Sequence, residues 1–195
     1  MKIRIVASIL GLVSGLVSSQ GQGFVNFANY ASTVNAPVTY AALNVPAGKA
    51  GLTVGQGFTA ELLWGIGDLT GNLGSLTAVA TTAFPSVADG NTGSGAGYFL
   101  GGAVTLPGVT SANSGSITFL VRAFNGASWT ATQSSPAGIA GQSLAWVQAV
   151  ATGTSPVPDF TGFQSFTVQN VPEPATFVLG GLGAAALLLF RRRRS

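Results

Sequence analysis

This sequence predicts an all-β fold: a β-sandwich of about seven or more antiparallel strands, with a helix outside the core at each end of the chain. Three observations predict it. Stretches of the middle alternate apolar and polar residues with period two, the pattern of half-buried strands. Clusters of Gly, Asn, Ser and Pro separate those stretches, as turns do. Helical periodicity is missing between the two ends, each of which is a continuous apolar run flanked by basic residues.

The chain opens MKIRIVASILGLVSGLVSSQGQG. Lys2 and Arg4 form a positive start, Ile5 to Val17 is apolar, and small residues then precede a polar stretch. That is the layout of a secretory signal peptide, expected over residues 1–21. Cleavage after Ser19 or after Gly21 satisfies the small-residue rule. The apolar run of about 13 residues is short of the roughly 20 that a spanning helix needs.

The body follows over 22–168. Phe58, Ala60, Leu62 and Trp64 share one face of a first strand, with Glu61 opposite. Ile117, Phe119, Val121 and Ala123 share one face of a second, and Thr118 and Arg122 lie on the other. Weaker strands are expected at Phe24 to Phe27, Ser75 to Thr82, Tyr98 to Thr105, Leu144 to Val150 and Phe163 to Val168. Asp89 to Gly95 and Asn125-Gly126 read as turns, because Gly and Asn tolerate positive φ.

Composition excludes several kinds of chemistry. The chain has no Cys and no His, which removes a disulfide framework and most metal and nucleophile–base arrangements. Six of its eight basic residues sit at the extreme ends; a processed body that retains Glu173 keeps Lys49 and Arg122 against Glu61, Asp68, Asp89, Asp159 and Glu173, a net of −3. No basic patch for nucleic acid exists there. A glycosidase would use paired carboxylates. Glu61 is mid-strand, however, and the three Asp residues sit beside Gly or Pro, as turn-capping Asp residues do. No cofactor, no metal and no catalytic residue is expected, and the body reads as non-enzymatic. Among the aromatic residues, Trp129 is the candidate for stacking on a sugar ring, although a core role is the stronger expectation for it.

The tail over 169–195 has three parts. Val171-Pro172-Glu173-Pro174 resists helix and favours extended backbone that a peptidase groove can bind. Residues 175–190 carry no charge; as a transmembrane helix they would reach about 24 Å, which snorkelling arginines can extend toward a bilayer core of about 30 Å. Arg191, Arg192, Arg193 and Arg194 follow at once, and positive charge beside an apolar span stays on the cytoplasmic side. The signal peptide gives the same orientation: body outside, last residues inside.

This ending resembles the PEP-CTERM sorting signal: a Pro-Glu-Pro motif, then a Gly- and Leu-rich apolar stretch, then an arginine cluster. Three stretches of the body, Gly23 to Phe27, Phe119 to Gly126 and Gly162 to Phe166, resemble the bodies of verrucomicrobial PEP-CTERM proteins, whose function is unknown. The resemblance implies export by the secretion machinery and membrane anchoring before processing. It also implies recognition by an exosortase, and a final place at the cell surface or in the extracellular matrix, in association with exopolysaccharide or biofilm. The alternative is a carbohydrate-binding module anchored by an uncleaved C-terminal helix.

Overall fold

The computed structural model describes residues 22–85, 87–90, 95–153 and 155–172. The expected signal peptide, Glu173, Pro174, the transmembrane helix and the four arginines lie outside the described residues. The rest is mostly β with almost no helix. In chain order the strands are β1 (Gly23–Ala28), β2 (Tyr30–Ala31), β3 (Val34–Asn35), β4 (Thr39–Tyr40), β5 (Thr59–Ile66), β6 (Thr77–Ala83), β7 (Leu100–Leu106) and β8 (Ile117–Phe124). The short helix α1 (Trp129–Gln133) follows, then β9 (Ile139–Gln142), β10 (Trp146–Gln148), β11 (Ala151–Thr152) and β12 (Thr167–Asn170).

The two clearest alternating stretches form the centre of the larger sheet. There β5 and β8 pair antiparallel over their whole lengths, from Thr59 opposite Phe124 to Ile66 opposite Ile117. The sheet has seven strands, ordered β4-β12-β9-β8-β5-β6, with β10 also on β8. Both β9 and β10 use the same edge of β8: β9 takes Arg122 to Phe124 and β10 takes Ile117 to Phe119. Ser143 bridges the gap between them. Its N–H donates to the Val121 carbonyl at 2.9 Å, and its Oγ accepts from the Val121 N–H at 3.0 Å. No ladder group of Val121 is left unpaired, as burial demands. The second sheet is β11-β1-β7, and β2 and β3 form a small hairpin.

The predicted faces of the central strands are the observed ones. Ala60, Leu62, Ile117, Phe119, Val121 and Ala123 join Val25 and Phe27 of β1 and Val104 and Leu106 of β7 in one hydrophobic cluster. Trp64, expected on the same face, is only partly buried at the margin of that cluster, past a register shift between Leu62 and Leu63. The opposite face of β8 is buried too, which alternation alone did not indicate. At one end the β5–β6 connection folds back over it: the Thr118 hydroxyl donates to the Gly67 carbonyl at 2.6 Å and accepts from the Leu69 N–H at 2.8 Å. At the other end Trp129 covers Phe124, with ring centroids 6.2 Å apart.

Several weaker expectations shift. The strand expected at Phe163 to Val168 begins only at Thr167; Phe163 and Phe166 are buried from irregular backbone, held by aromatic packing. The strand expected at Leu144 to Val150 shrinks to β10, leaving Leu144 exposed. The strand expected from Tyr98 starts at Leu100, because the Asn29 side chain takes the preceding turn. Asn29 is fully buried; its Nδ2 donates to the Ala36 and Gly97 carbonyls and its Oδ1 accepts from the Phe99 N–H at 2.7 Å. Asn125-Gly126 is no hairpin turn. It opens the connection that contains α1, and Gly126 is needed for space: a Cβ there would stand 2.3 Å from Thr132 Oγ1.

Candidate functional site

The strand order brings a set of polar residues to the outer face of the large sheet. Thr81 of β6 lies opposite Glu61 of β5, Glu61 opposite Arg122 of β8, and Arg122 opposite Gln142 of β9. None of these four is adjacent in sequence to the next, so antiparallel register alone makes the row.

Trp129 is set against this row by the connection 125–138. The Asn125 side chain clamps the two ends of that connection. Its Oδ1 accepts from the Ile139 N–H at 2.8 Å, and its Nδ2 donates to the Ala137 carbonyl at 3.2 Å. Ser128 then caps α1 by accepting from the Ala131 N–H at 3.1 Å, a donor that would otherwise be orphaned in the first turn. Trp129 is therefore the first helical residue, half-buried rather than free in a loop.

The Arg122 guanidinium lies over the Trp129 ring, 4.7 Å from its centroid. It faces Glu61 at 3.8 Å, and its buried Nε has no partner among the described residues. Burial lowers the Arg122 pKa from its usual value, and Glu61 opposes that shift. The cation thus bridges an aromatic face and a carboxylate on a partly desolvated surface, where both contacts are stronger than in water.

Trp129 also lines a groove of about 360 Å³. Gln133, Gln142, Gln169, Asn170 and Pro172 share its wall. Amide side chains donate and accept at once, and an aromatic edge offers apolar contact. The wall thus combines paired donors and acceptors with an apolar edge.

The other residues singled out from the sequence fall elsewhere. Trp146 is in the core against Phe119, Phe160 and Phe163, and its Nε1 donates to Gln148 Oε1 at 2.8 Å. Tyr40 is buried and donates to Asp89 at 2.7 Å; burial first, then the Asp89 carboxylate, raises its pKa well above the ordinary phenol range. Tyr30 and Tyr98 pair at 5.1 Å beside exposed Leu100 in a separate, apolar groove of about 670 Å³. Each carboxylate of the described residues has a structural partner. Glu61 faces Arg122, Asp68 accepts from Thr70, Asp89 holds Lys49 and the Gly55 N–H, and Asp159 accepts from Asn26 and Ser32. Thr70 holds the Asp68 pKa below its usual value through its hydroxyl and then its N–H. No group of three metal-ligating residues occurs among the described residues.

At the groove the chain leaves the body. The last strand, β12, lies between β4 and β9, so it is no free edge. Asn170 donates to the Asn44 carbonyl at 2.8 Å, and Val171 donates to the Gly138 carbonyl at 2.8 Å. Of the expected motif residues, Val171 and Pro172 are thus placed on the body, while Glu173, Pro174 and Arg191 to Arg194 lie outside the described residues.

Residues 170–194 match the PEP-CTERM protein-sorting motif. The match begins on the last residue of β12 and carries all three parts read from the tail. It implies export and exosortase-dependent sorting to the cell surface. No curated protein and no solved structure matches the chain.

Proposed function

We propose that this chain is an exported, non-enzymatic protein of the cell surface or extracellular matrix. In this reading residues 1–21 are removed on export, and residues 175–190 hold the precursor in the membrane with the arginines on the cytoplasmic side. An exosortase then recognises Val171 to Pro174 and removes the tail. The two sheets pack as a sandwich around their shared hydrophobic cluster, in a body of the verrucomicrobial PEP-CTERM type. The observation that carries the reading is the sorting-motif match at 170–194, joined without a spacer to the last strand. The test is the intact mass of the protein from its native surface or medium, beside a Glu173→Ala variant. Loss of both ends in the native form and retention of the tail in the variant is the expected result. A native form that keeps Arg191 to Arg194 would make this a membrane-anchored protein with an uncleaved helix.

The body's ligand is, in this reading, an exopolysaccharide held at the Trp129 groove. The supporting observation is the combination of a half-buried Trp with Gln133, Gln142 and Gln169 in one wall. Stacking on aromatic faces is worth about 0.5–1.5 kcal/mol beyond area burial. Trp129→Ala should therefore weaken binding to the native matrix polysaccharide by about two- to tenfold, read by affinity electrophoresis. Unchanged mobility shifts in wild type and variant would remove the groove from the proposal.

A further inference from the structure

The position of the tail fixes which end of the body meets the membrane. In the large sheet β4 and β12 run parallel, and both finish at one end. Alternation of the antiparallel neighbours puts Ile139, Phe124, Thr59 and Ala83 at that same end. Ile66, Ile117, Thr77 and the β5–β6 connection mark the other. An eight-residue strand such as β8 separates the ends by roughly 24 Å.

The chain leaves from the first end. Asn170 is hydrogen-bonded there, and five residues later the apolar stretch begins at Ala175. Extended backbone covers at most about 3.6 Å per residue, so Ala175 lies within about 18 Å of Asn170.

The surface beside this exit suits a lipid interface. The loop 41–48, Ala-Ala-Leu-Asn-Val-Pro-Ala-Gly, holds no charge. At its tip Leu43 is 81% exposed, more than any other large apolar side chain among the described residues. Neighbouring Asn44 is held in the left-handed region at φ 58°. It grips the exit itself: its Nδ2 donates to the Asn170 carbonyl at 2.9 Å, and its own carbonyl accepts from the Asn170 N–H. The next charge along the chain, Lys49, is neutralised by Asp89.

We infer that the loop 41–48 is a membrane-docking surface: Leu43 enters the lipid interface beside the tail and seats the body on the bilayer before processing. This rests on the proposed insertion of residues 175–190. The lipid surface is the occupant because the five residues from Asn170 to Ala175 keep this end of the body within about 18 Å of the proposed membrane segment. The Trp129 groove shares the same end through Asn170 and Pro172.

The absence of Cys makes the test direct. Single variants Leu43→Cys, Gly71→Cys and Ala184→Cys of the full chain are labelled with an environment-sensitive fluorophore. They are reconstituted in phosphatidylcholine vesicles containing doxyl-phosphatidylcholine as quencher. Leu43 is exposed, and at Gly71 an added Cβ meets nothing within 4 Å, so neither label disturbs packing. Quenching at position 43 should be at least about twofold that at position 71, since an interfacial side chain sits roughly 5–10 Å deep. Quenching at 184 with equal values at 43 and 71 would overturn this inference while leaving tail insertion intact. No quenching at 184 would overturn tail insertion, and the docking surface with it. Protection of Leu43→Cys from a soluble thiol reagent in native membranes, without quenching in vesicles, would assign the loop to a protein partner and overturn the lipid assignment.

Discussion

Phe160 tests whether the two sheets behave as one folding unit. It lies in the irregular connection between β11 and β12 and is 0% exposed. Its ring meets Phe27 of the smaller sheet at 6.3 Å, and Phe119 and Trp146 of the larger at 5.9 and 4.9 Å. Phe163 completes its surroundings at 5.8 Å. Truncation to Ala removes a buried ring and leaves a cavity among other rings that cannot collapse into it, so the expected loss is about 4 kcal/mol. For a domain of this size that lowers Tm by roughly 8–16 °C. It is a large share of the 5–15 kcal/mol typical of a whole domain. Phe160→Leu retains most of the volume and should cost about 1 kcal/mol. The assay is urea denaturation followed in parallel by Trp fluorescence and far-ultraviolet circular dichroism. Coincident transitions, shifted together by Phe160→Ala, are the expected result. A loss below about 1 kcal/mol, or two separate transitions, would refute the view that this ring joins both sheets in one cooperative core.

Two further outcomes follow from single contacts. At Gly141 an added Cβ would stand 2.0 Å from the Thr167 carbonyl oxygen, a backbone atom that cannot swing aside. Gly141→Ala should therefore part β9 from β12 and cost about 3 kcal/mol, seen as a lower urea midpoint with unchanged slope. Tyr40 has its pKa raised in the folded state, so its contribution is complete below the unfolded phenol value near 10 and is lost as pH rises above it. Stability should fall above about pH 10 by up to roughly 1.4 kcal/mol per pH unit on account of this group, and Tyr40→Phe should flatten that slope. An unchanged slope in urea titrations from pH 9 to 11 would remove Tyr40 as its source.

The C-terminal sorting motif and the central strands of this protein were legible because their signals are local. A sorting signal must be read by other proteins from a linear segment, so Val171 to Pro174, the uncharged run and the arginines are written consecutively. The faces of β5 and β8 were legible because period two needs only neighbouring residues: Ile117, Phe119, Val121 and Ala123 show it unaided. Other elements had no such signal. β9 is Ile-Ala-Gly-Gln, with a Gly that intrinsic preference disfavours; it is a strand because Gly141 lets the Thr167 backbone approach. The strands β2, β3, β4 and β11 are two residues each, below any periodicity. Phe163 looked like strand because it is aromatic, yet its burial comes from ring packing without a ladder.

The groove shows the same division. Trp129 could be singled out by type, but its neighbours could not. Arg122, Gln142 and Gln169 come together only through antiparallel register and the clamp of Asn125 on its loop. The sequence by itself determined the destination of this protein and the alternation of its central strands, because both depend on residues adjacent in the chain. Tertiary structure alone decided that the tail leaves beside Trp129 and Leu43. That placement depends on which strands flank β12, and strand order is set by long-range pairing that no short stretch of sequence encodes.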